Sequence, residues 1–370
     1  MRRRHIGLTM IEMLIAIVLA TVVLGAAVSL FLANKNTSST TAAMSAISDN
    51  GRVALSFIGE SVRSGGYMAC NATNDIRSAV AAAGVTRQLN ILQAGATPVQ
   101  RNYTEAFGGY EAGNTAVPGV ATVLPPPVAA DGNAGDWLSG AGGLDGLLVG
   151  QVVKGSDVLV VRQSVPQDIP VYSNANYNAG QNVISVYSVG NLQPGQYAVI
   201  SDCSVSTAFQ IGAVNGGANT ISTAGALDQF GGNLQWSYGP PAAITPVDMA
   251  IYYIGVGRDN DSALFVYHES TGLFQELVPD VENMQVLFGV APTTPNQVTE
   301  YVQAQRVVDF NQVVSVKVAL LVASPVGAAA VPIPAAAPTY NLLGVVVTVP
   351  ADTRLRKVFE STITVRSAAL

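Results

Sequence analysis

Residues 13–33 form a run of 21 residues without a single charge, and this run limits the possible folds of the chain more than any other feature. An α-helix rises 1.5 Å per residue, so a helix of this length covers the hydrocarbon core of a bilayer, which is about 30 Å thick. Only helices and closed β-barrels satisfy all their backbone hydrogen bonds inside that core. The run therefore predicts one membrane-spanning helix.

The charges on either side of the run predict its orientation. Arg2, Arg3 and Arg4 precede it, and Lys35 follows it. Cytoplasmic flanks of membrane helices are enriched in Lys and Arg. We therefore expect a protein that spans the membrane once, with its N-terminus in the cytoplasm and everything after Lys35 outside it.

Two common kinds of N-terminal segment explain only part of this pattern. A cleaved secretory signal has a basic start and an apolar core, but here the apolar run continues past the small residues Ala26-Ala27. A plain signal anchor explains the length and the orientation. Neither explains Glu12, because an acid at the edge of a membrane helix costs about 3 kcal/mol and usually has a function.

The order of a basic leader, Gly7, apolar Leu8, Thr9, two apolar residues, Glu12 and a helix resembles the type IV prepilin signature. The resemblance implies that a prepilin peptidase cuts after Gly7 and methylates the amine of Leu8. It also implies that Glu12, then the fifth residue of the mature chain, acts in assembly. Many pilins have Phe in place of Leu8, and many have a proline in this helix, whereas no proline precedes Pro98 here.

The helical pattern continues beyond the membrane run. Apolar or small residues recur every three or four positions, with polar residues between them. These positions are Met44, Ile47, Gly51, Ala54, Leu55, Ile58 and Val62. Gly65-Gly66 then supplies a stop signal. After a leader at 1–7, we predict one helix over 8–64, with a membrane half at about 8–33 and an amphipathic half at about 34–64 packed on the body.

The remaining residues, 65–370, predict a body of mainly antiparallel β-sheet, so the fold class is α+β. Runs rich in β-branched and aromatic residues are the candidate strands. They are residues 157–162, 182–187, 197–201, 249–256, 263–267, 273–278, 284–290, 313–322, 344–349 and 358–365. Gly257-Arg258-Asp259-Asn260-Asp261 predicts a hairpin loop between two of them. Stretches rich in Gly, Ala, Pro and Asn predict loop-rich insertions at about 71–155 and 323–343.

Several aromatic residues lie in or near the predicted loops, namely Trp137, Trp236, Tyr103, Tyr110, Tyr172 and Tyr177. Exposed aromatic residues can serve adhesion. We expect instead a satellite core beneath long loops, which is the more common arrangement.

Short motifs across the body resemble those of the PilW-like minor pilins. They are Asn50-Gly51-Arg52, Arg63-Ser-Gly-Gly-Tyr67, Gly155-Ser-Asp-Val-Leu159, Ser201-Asp202-Cys203, Tyr252-Tyr253-Ile254-Gly255, Gln275-Glu276-Leu277-Val278 and Leu355-Arg-Lys-Val-Phe359. The resemblance implies a subunit that helps to initiate a type IV pilus, near the fibre tip. It also implies that other minor pilins, the major pilin, the prepilin peptidase and the inner membrane are its partners, and that the chain ends in a pilus at the cell surface.

The sequence gives no evidence of catalysis or of nucleic-acid binding. Without residues 1–7 the chain keeps 15 Lys and Arg (18 less three) against 24 Asp and Glu, which is too acidic for a nucleic-acid footprint. Apart from His5 in the leader, the one histidine is His268, for which a hairpin surface is a simpler explanation than a general base. Asp259-Asn260-Asp261 could collect Ca²⁺, but a solvated turn explains it better. We predict no catalytic residue, no cofactor and no metal site.

Cys70 and Cys203 are the two cysteines of the chain. In a body outside the cytoplasmic membrane, two such cysteines favour a disulfide over two buried thiols. We predict a disulfide between Cys70, just after the long helix, and Cys203 in the β body.

Two functional alternatives stay open at this point. A minor pseudopilin of a type II secretion system would share the N-terminal features, namely the leader, the cleavage site and the apolar helix. A membrane-anchored extracytoplasmic binding module or enzyme would use the helix only as an anchor, but Glu12, Gly7 and the lack of catalytic motifs argue against it.

Overall fold

A computed structural model describes residues 10–68, 71–72, 88–90, 103, 105–113, 121–123, 133–138, 143–165, 168–172, 180–202, 205–223, 233–234, 237–239, 241–291, 297–329 and 331–365. It has one long N-terminal helix followed by a body of mainly antiparallel sheets. The predicted α+β class is therefore confirmed.

Helix α1 spans Met10–Ser64, 55 residues, and contains no proline. It ends where Gly66 adopts a positive φ of 77°, a conformation that costs glycine little. The buried residues of α1 begin at Ala43 and recur at helical spacing. They are Ala43, Ile47, Gly51, Ala54, Ile58, Gly59, Ser61 and Val62. The second half of the predicted helix thus packs on the body.

The body contains 22 strands within the described ranges. They are β1 (Tyr67–Met68), β2 (Asn71–Ala72), β3 (Gln88–Asn90), β4 (Phe107–Ala112), β5 (Ala121–Val123), β6 (Trp137–Leu138), β7 (Val158–Ser164), β8 (Ile169–Pro170), β9 (Val183–Ser185), β10 (Tyr197–Ser201), β11 (Ser206–Gln210), β12 (Ala213–Asn215), β13 (Thr220–Ser222), β14 (Ala243–Val256), β15 (Ser262–His268), β16 (Leu273–Pro279), β17 (Val281–Val290), β18 (Glu300–Val302), β19 (Val313–Ala323), β20 (Thr339–Leu342), β21 (Val345–Thr348) and β22 (Arg356–Thr364). Short 3-10 turns occur at Ala134–Asp136, Ala304–Arg306 and Phe310–Gln312.

The largest sheet is organised around β14. Its strand order is β3-β11-β10-β14-β7-β4-β6; β15 and β8 also pair with β14, and β16 pairs with β15. All these pairs are antiparallel except β3 with β11. Strand β14 is 14 residues long, so its first part pairs with β10 and its last part with β15.

A second sheet forms the seat of the helix. Its order is β18-β17-β19-β22, all antiparallel. Strands β20, β21 and β5 form a small sheet whose core packs on β19, and β9, β12 and β13 form another. The main core joins α1 to both large sheets through residues such as Ile58, Val161 and Leu320.

The aromatic residues of the loops divide between core and surface. Tyr103, Tyr110 and Trp137 are buried together beside β7 and β14, which confirms the predicted satellite core. Tyr172 and Tyr187 instead form an exposed pair with ring centroids 4.7 Å apart. Trp236 and Tyr177 lie outside the described residues.

Strand β4 lies inside the stretch that the sequence assigns to a loop-rich insertion. All six of its residues are buried, and it pairs with β7 in the large sheet. A Cβ added to Gly109 would come within 2.8 Å of the Phe288 ring, so the glycine allows close packing. The predicted hairpin loop is confirmed between β14 and β15, where Asn260 has a φ of 56°.

Candidate functional site

The first half of α1 makes no core contact with the body. From Met10 to Ser38 every residue is exposed, and the helix is long and apolar enough to cross a membrane. Glu12 lies in the first described turn, where an acid also interacts favourably with the helix dipole. Gly7 and Leu8 lie outside the described residues, so the predicted cleavage site stays a prediction.

The second half of α1 lies on a seat formed largely by β22 and β19. A Cβ added to Gly51 would come within 2.5 Å of the Phe359 ring, so this ring packs directly on the helix backbone. The side-chain amide of Asn50 donates to the carbonyl of Pro279 at 3.3 Å. The Asn50-Gly51 motif is therefore a docking point between the helix and the body.

The end of the helix is also anchored to the body. The hydroxyl of Ser64 donates to Gln163 Oε1 at 2.7 Å, and the hydroxyl of Ser61 donates to the same oxygen at 3.2 Å. The amide of Gly66 donates to the carbonyl of Arg162 at 2.9 Å. These bonds fix the direction in which the helix leaves the large sheet.

Two arginines next to the seat connect separate turns of the body. The guanidinium of Arg354 bonds Asp261 in the β14–β15 turn and Asp280 in the β16–β17 turn, the latter at 2.8 Å. It also donates to the carbonyl of Ser324 at 2.7 Å. The predicted calcium alternative loses support here, because Asp261 already has a cationic partner.

The side chain of Arg356 is only 2% exposed and binds two carboxylates, Glu282 and Asp352, each through two hydrogen bonds of 2.7–3.0 Å. Burial alone would lower its pKa, but these hydrogen bonds outweigh burial and raise the pKa above its usual range. Bidentate pairs of this kind are geometrically specific. The network therefore fixes β22, which carries Phe359, against β17.

His268 lies at the end of β15, where the hairpin-surface interpretation placed it. Its Nδ1 is 2.6 Å from Asp248 Oδ2, and the amide of Ser270 donates to the other oxygen at 2.9 Å. The hydrogen bond to Asp248 raises the pKa of His268, and partial burial opposes this. Among the described residues, no Ser, Thr or Cys side chain is hydrogen-bonded to the imidazole ring of His268.

A buried polar clamp joins the two large sheets. The hydroxyl of Ser156 and the amide of Asp157 both donate to the carbonyl of Met284. The carboxylate of Asp157 accepts from the amide of Ala112 on β4 at 3.0 Å and from the amide of Val286 on β17 at 2.8 Å. Burial raises the pKa of Asp157 to about 7, although these two hydrogen bonds act to lower it.

This clamp was not predicted as a site. Gly155-Ser-Asp-Val-Leu159 was assigned only to a family resemblance. A polar Gly-Ser-Asp triplet directly before an apolar strand was the available signal. The predicted disulfide between Cys70 and Cys203 lies outside the described residues and stays a prediction.

Comparisons with known proteins cover both ends of the chain. A family model described as type IV pilus-assembly protein W matches residues 251–367, and one described as the prokaryotic N-terminal methylation motif matches residues 2–28. No curated protein and no solved structure matches the chain. The first match contains Phe359, Arg354 and Arg356 of the helix seat, and the second contains Gly7, Leu8 and Glu12. Over these two stretches, which are less than half of its length, the chain is therefore similar to PilW-like type IV pilins.

Proposed function

We propose that this chain is a minor pilin that helps to initiate a type IV pilus, near the fibre tip and in contact with other minor pilins and the major pilin. Two family models support a pilus-associated subunit with a structural role rather than an enzyme. The step from a pilus subunit to an initiating minor pilin rests on the resemblance of the body motifs to PilW-like minor pilins.

One observation carries the proposal: α1 buries none of its side chains before Ala43. Lipid or other protein must cover an apolar surface of this size. Lipid covers the helix before assembly, and the like helices of neighbouring subunits cover it afterwards. Because the second half of α1 packs on the body, the position of the helix in the fibre also sets the position of the body.

Glu12 would set the axial position of each α1 helix as it leaves the lipid and packs against the helices of neighbouring subunits. After cleavage behind Gly7, the new amine of Leu8 on a neighbouring subunit would lie at the same membrane depth. A carboxylate that pairs with this amine avoids a charge left alone in low dielectric, which costs about 3–5 kcal/mol. Only a subunit at the correct axial position makes the pair.

The chain would lie first in the inner membrane and later in the pilus. The basic leader stays in the cytoplasm until the prepilin peptidase removes it at the inner membrane. Residues after Lys35 then lie in the periplasm, and the subunit moves to the cell surface with the fibre.

Substitution of Glu12 tests this function in a strain that lacks the chromosomal copy. We expect Glu12→Ala protein to be cleaved after Gly7 and held in the membrane, yet absent from sheared filaments and unable to restore piliation. Glu12→Gln should fail as well, because it keeps the shape and removes the charge. Peptide mass spectrometry gives the mature N-terminus, and immunoblots of sheared fibres give incorporation.

Glu60→Ala is the matched control, because Glu60 is an exposed acid on the same helix beyond the membrane half. It should restore piliation fully. Normal piliation with Glu12→Ala would refute the charge-pairing mechanism. A mature terminus other than Leu8 would refute the prepilin processing itself.

A further inference from the structure

A cavity of about 90 Å³ lies beside the buried clamp, between β4, β17 and residues 301–306. Its polar lining consists of Glu111, Asp157, Gln285, Tyr301, Gln303 and Arg306. Arg306 is exposed, whereas Glu111, Asp157, Gln285 and Gln303 are each no more than 5% exposed. Buried carboxyl and carboxamide groups therefore line a cavity that opens to solvent near Arg306.

The orientation of the Gln285 side chain is fixed by its neighbours. Its Nε2 donates to the carbonyl of Gly155 at 3.0 Å and to Asn283 Oδ1 at 2.9 Å. Both partners are acceptors, so the amide nitrogen must face them. Its Oε1 is then left buried without a hydrogen-bond partner among the residues that the structure describes. A buried oxygen of this kind costs free energy unless something binds it.

Asp157 has further capacity to bind. Each of its oxygens accepts one backbone amide, from Ala112 or from Val286. A carboxylate oxygen has two lone pairs, so each oxygen keeps one for another partner. The amides hold the carboxylate rigid without neutralising its full charge.

We propose that this cavity is a binding site for one Ca²⁺ ion, held by Asp157, Glu111 and the carboxamide oxygens of Gln285 and Gln303. Carboxylates and amide carbonyls are the ligands that calcium prefers, whereas zinc and copper prefer nitrogen and sulfur. Within the described residues no three His, Cys, Asp or Glu side chains converge, so carboxamides and water must complete the shell. One water needs about 10–15 Å³ of cavity space, so this cavity has room for the ion together with waters.

The site goes beyond the proposed pilus function and would have its own effect. The ion would link β4 and the residue before β7 to β17. It would therefore link the large sheet to the sheet on which α1 lies. Calcium would then stiffen the connection between the helix and the body. Its removal would loosen this connection without unfolding either sheet.

Charged side chains lie in and around the cavity. Glu111 and Asp157 attract a cation, Arg306 at the rim opposes it, and Lys317 lies over the Tyr301 ring at 3.9 Å.

Terbium luminescence on the full-length chain in detergent tests the site. After the protein is stripped with EDTA, Tb³⁺ should become luminescent through Tyr301, which lines the cavity. Ca²⁺ should displace it with a stoichiometry of one. Asp157→Asn and Glu111→Gln should each weaken Ca²⁺ binding by about tenfold or more, because affinity follows the number of charged ligands.

Asp259→Asn is the control, since Asp259 is an exposed acid in the β14–β15 turn. It should leave the affinity unchanged. The proposal is overturned if the wild-type chain does not bind the ion, or if binding is lost in Asp259→Asn. It is also overturned if Glu111→Gln, with an unchanged circular dichroism spectrum, binds as tightly as wild type.

Discussion

Individual polar side chains in this protein contribute to stability through one or two close partners. His268 is a clear case, because it is half-buried and faces Asp248, with Glu269 beside it in the chain. Its raised pKa means that folding favours the protonated imidazole. A group whose folded pKa lies above its unfolded value stabilises the fold fully below the unfolded pKa, about 6.5, and loses this contribution as pH rises through the folded pKa.

This linkage predicts a pH effect that one substitution removes. Between pH 6 and 8 the wild-type chain should lose about 0.5–1 kcal/mol of stability more than His268→Gln does, after allowance for solvent screening. Thermal unfolding in nonionic detergent across that range measures the difference. Asp157 also titrates near pH 7 but is common to both chains, so it cancels. If the stability of wild type and of His268→Gln changes equally with pH, the His268–Asp248 pair contributes nothing to the pH dependence.

Elements were predicted well where their residues carried a strong periodic pattern. All ten predicted strands occur, and the core strand β19 differs from its prediction by one residue, Ala323. Helix α1 ends at Ser64 as the Gly65-Gly66 signal indicates. Long apolar runs determine such elements locally, with little help from the rest of the chain.

Strand β4 and the cavity beside the buried clamp could not be predicted in the same way. Gly108 and Gly109 make β4 look like a loop, and only the distant Phe288 ring explains why a residue without a side chain is needed. The cavity depends on Asp157 and Gln285 meeting across 128 positions of sequence. A pattern within one segment cannot show such a meeting.

Two glycines of α1 should respond differently to substitution by alanine, because the Phe359 ring packs on Gly51 and not on Gly59. Gly51→Ala should destabilise the helix–body contact by about 1–3 kcal/mol, because the new methyl overlaps the Phe359 ring. Gly59→Ala should be neutral or stabilising by up to about 1 kcal/mol, because its Cβ meets only Arg63 at 3.5 Å and alanine favours helix. Hydrogen exchange over residues 43–64 measures both. Equal protection in the two variants would mean that Phe359 does not hold the helix.

On the scale of the whole molecule, the predicted disulfide would join the region after α1 to the large sheet. A bond from Cys70 to Cys203 closes a loop of more than 100 residues, which the chain-entropy estimate values at about 5 kcal/mol before strain. Protein from an oxidising compartment should give one linked peptide pair in non-reducing mapping, and Cys203→Ser should lower the melting temperature. Two freely alkylated thiols in folded protein would contradict the prediction.

The packing of Phe359 on Gly51 also orders events in time. The helix is made early, but the ring that covers it follows 308 positions later in the chain (359 less 51). At about 5–20 residues per second, a ribosome needs about 15–60 s to supply it. During that interval the buried stripe of α1 has no β22 to cover it. The contact between helix and body therefore closes only after β22, the last described strand, has been made.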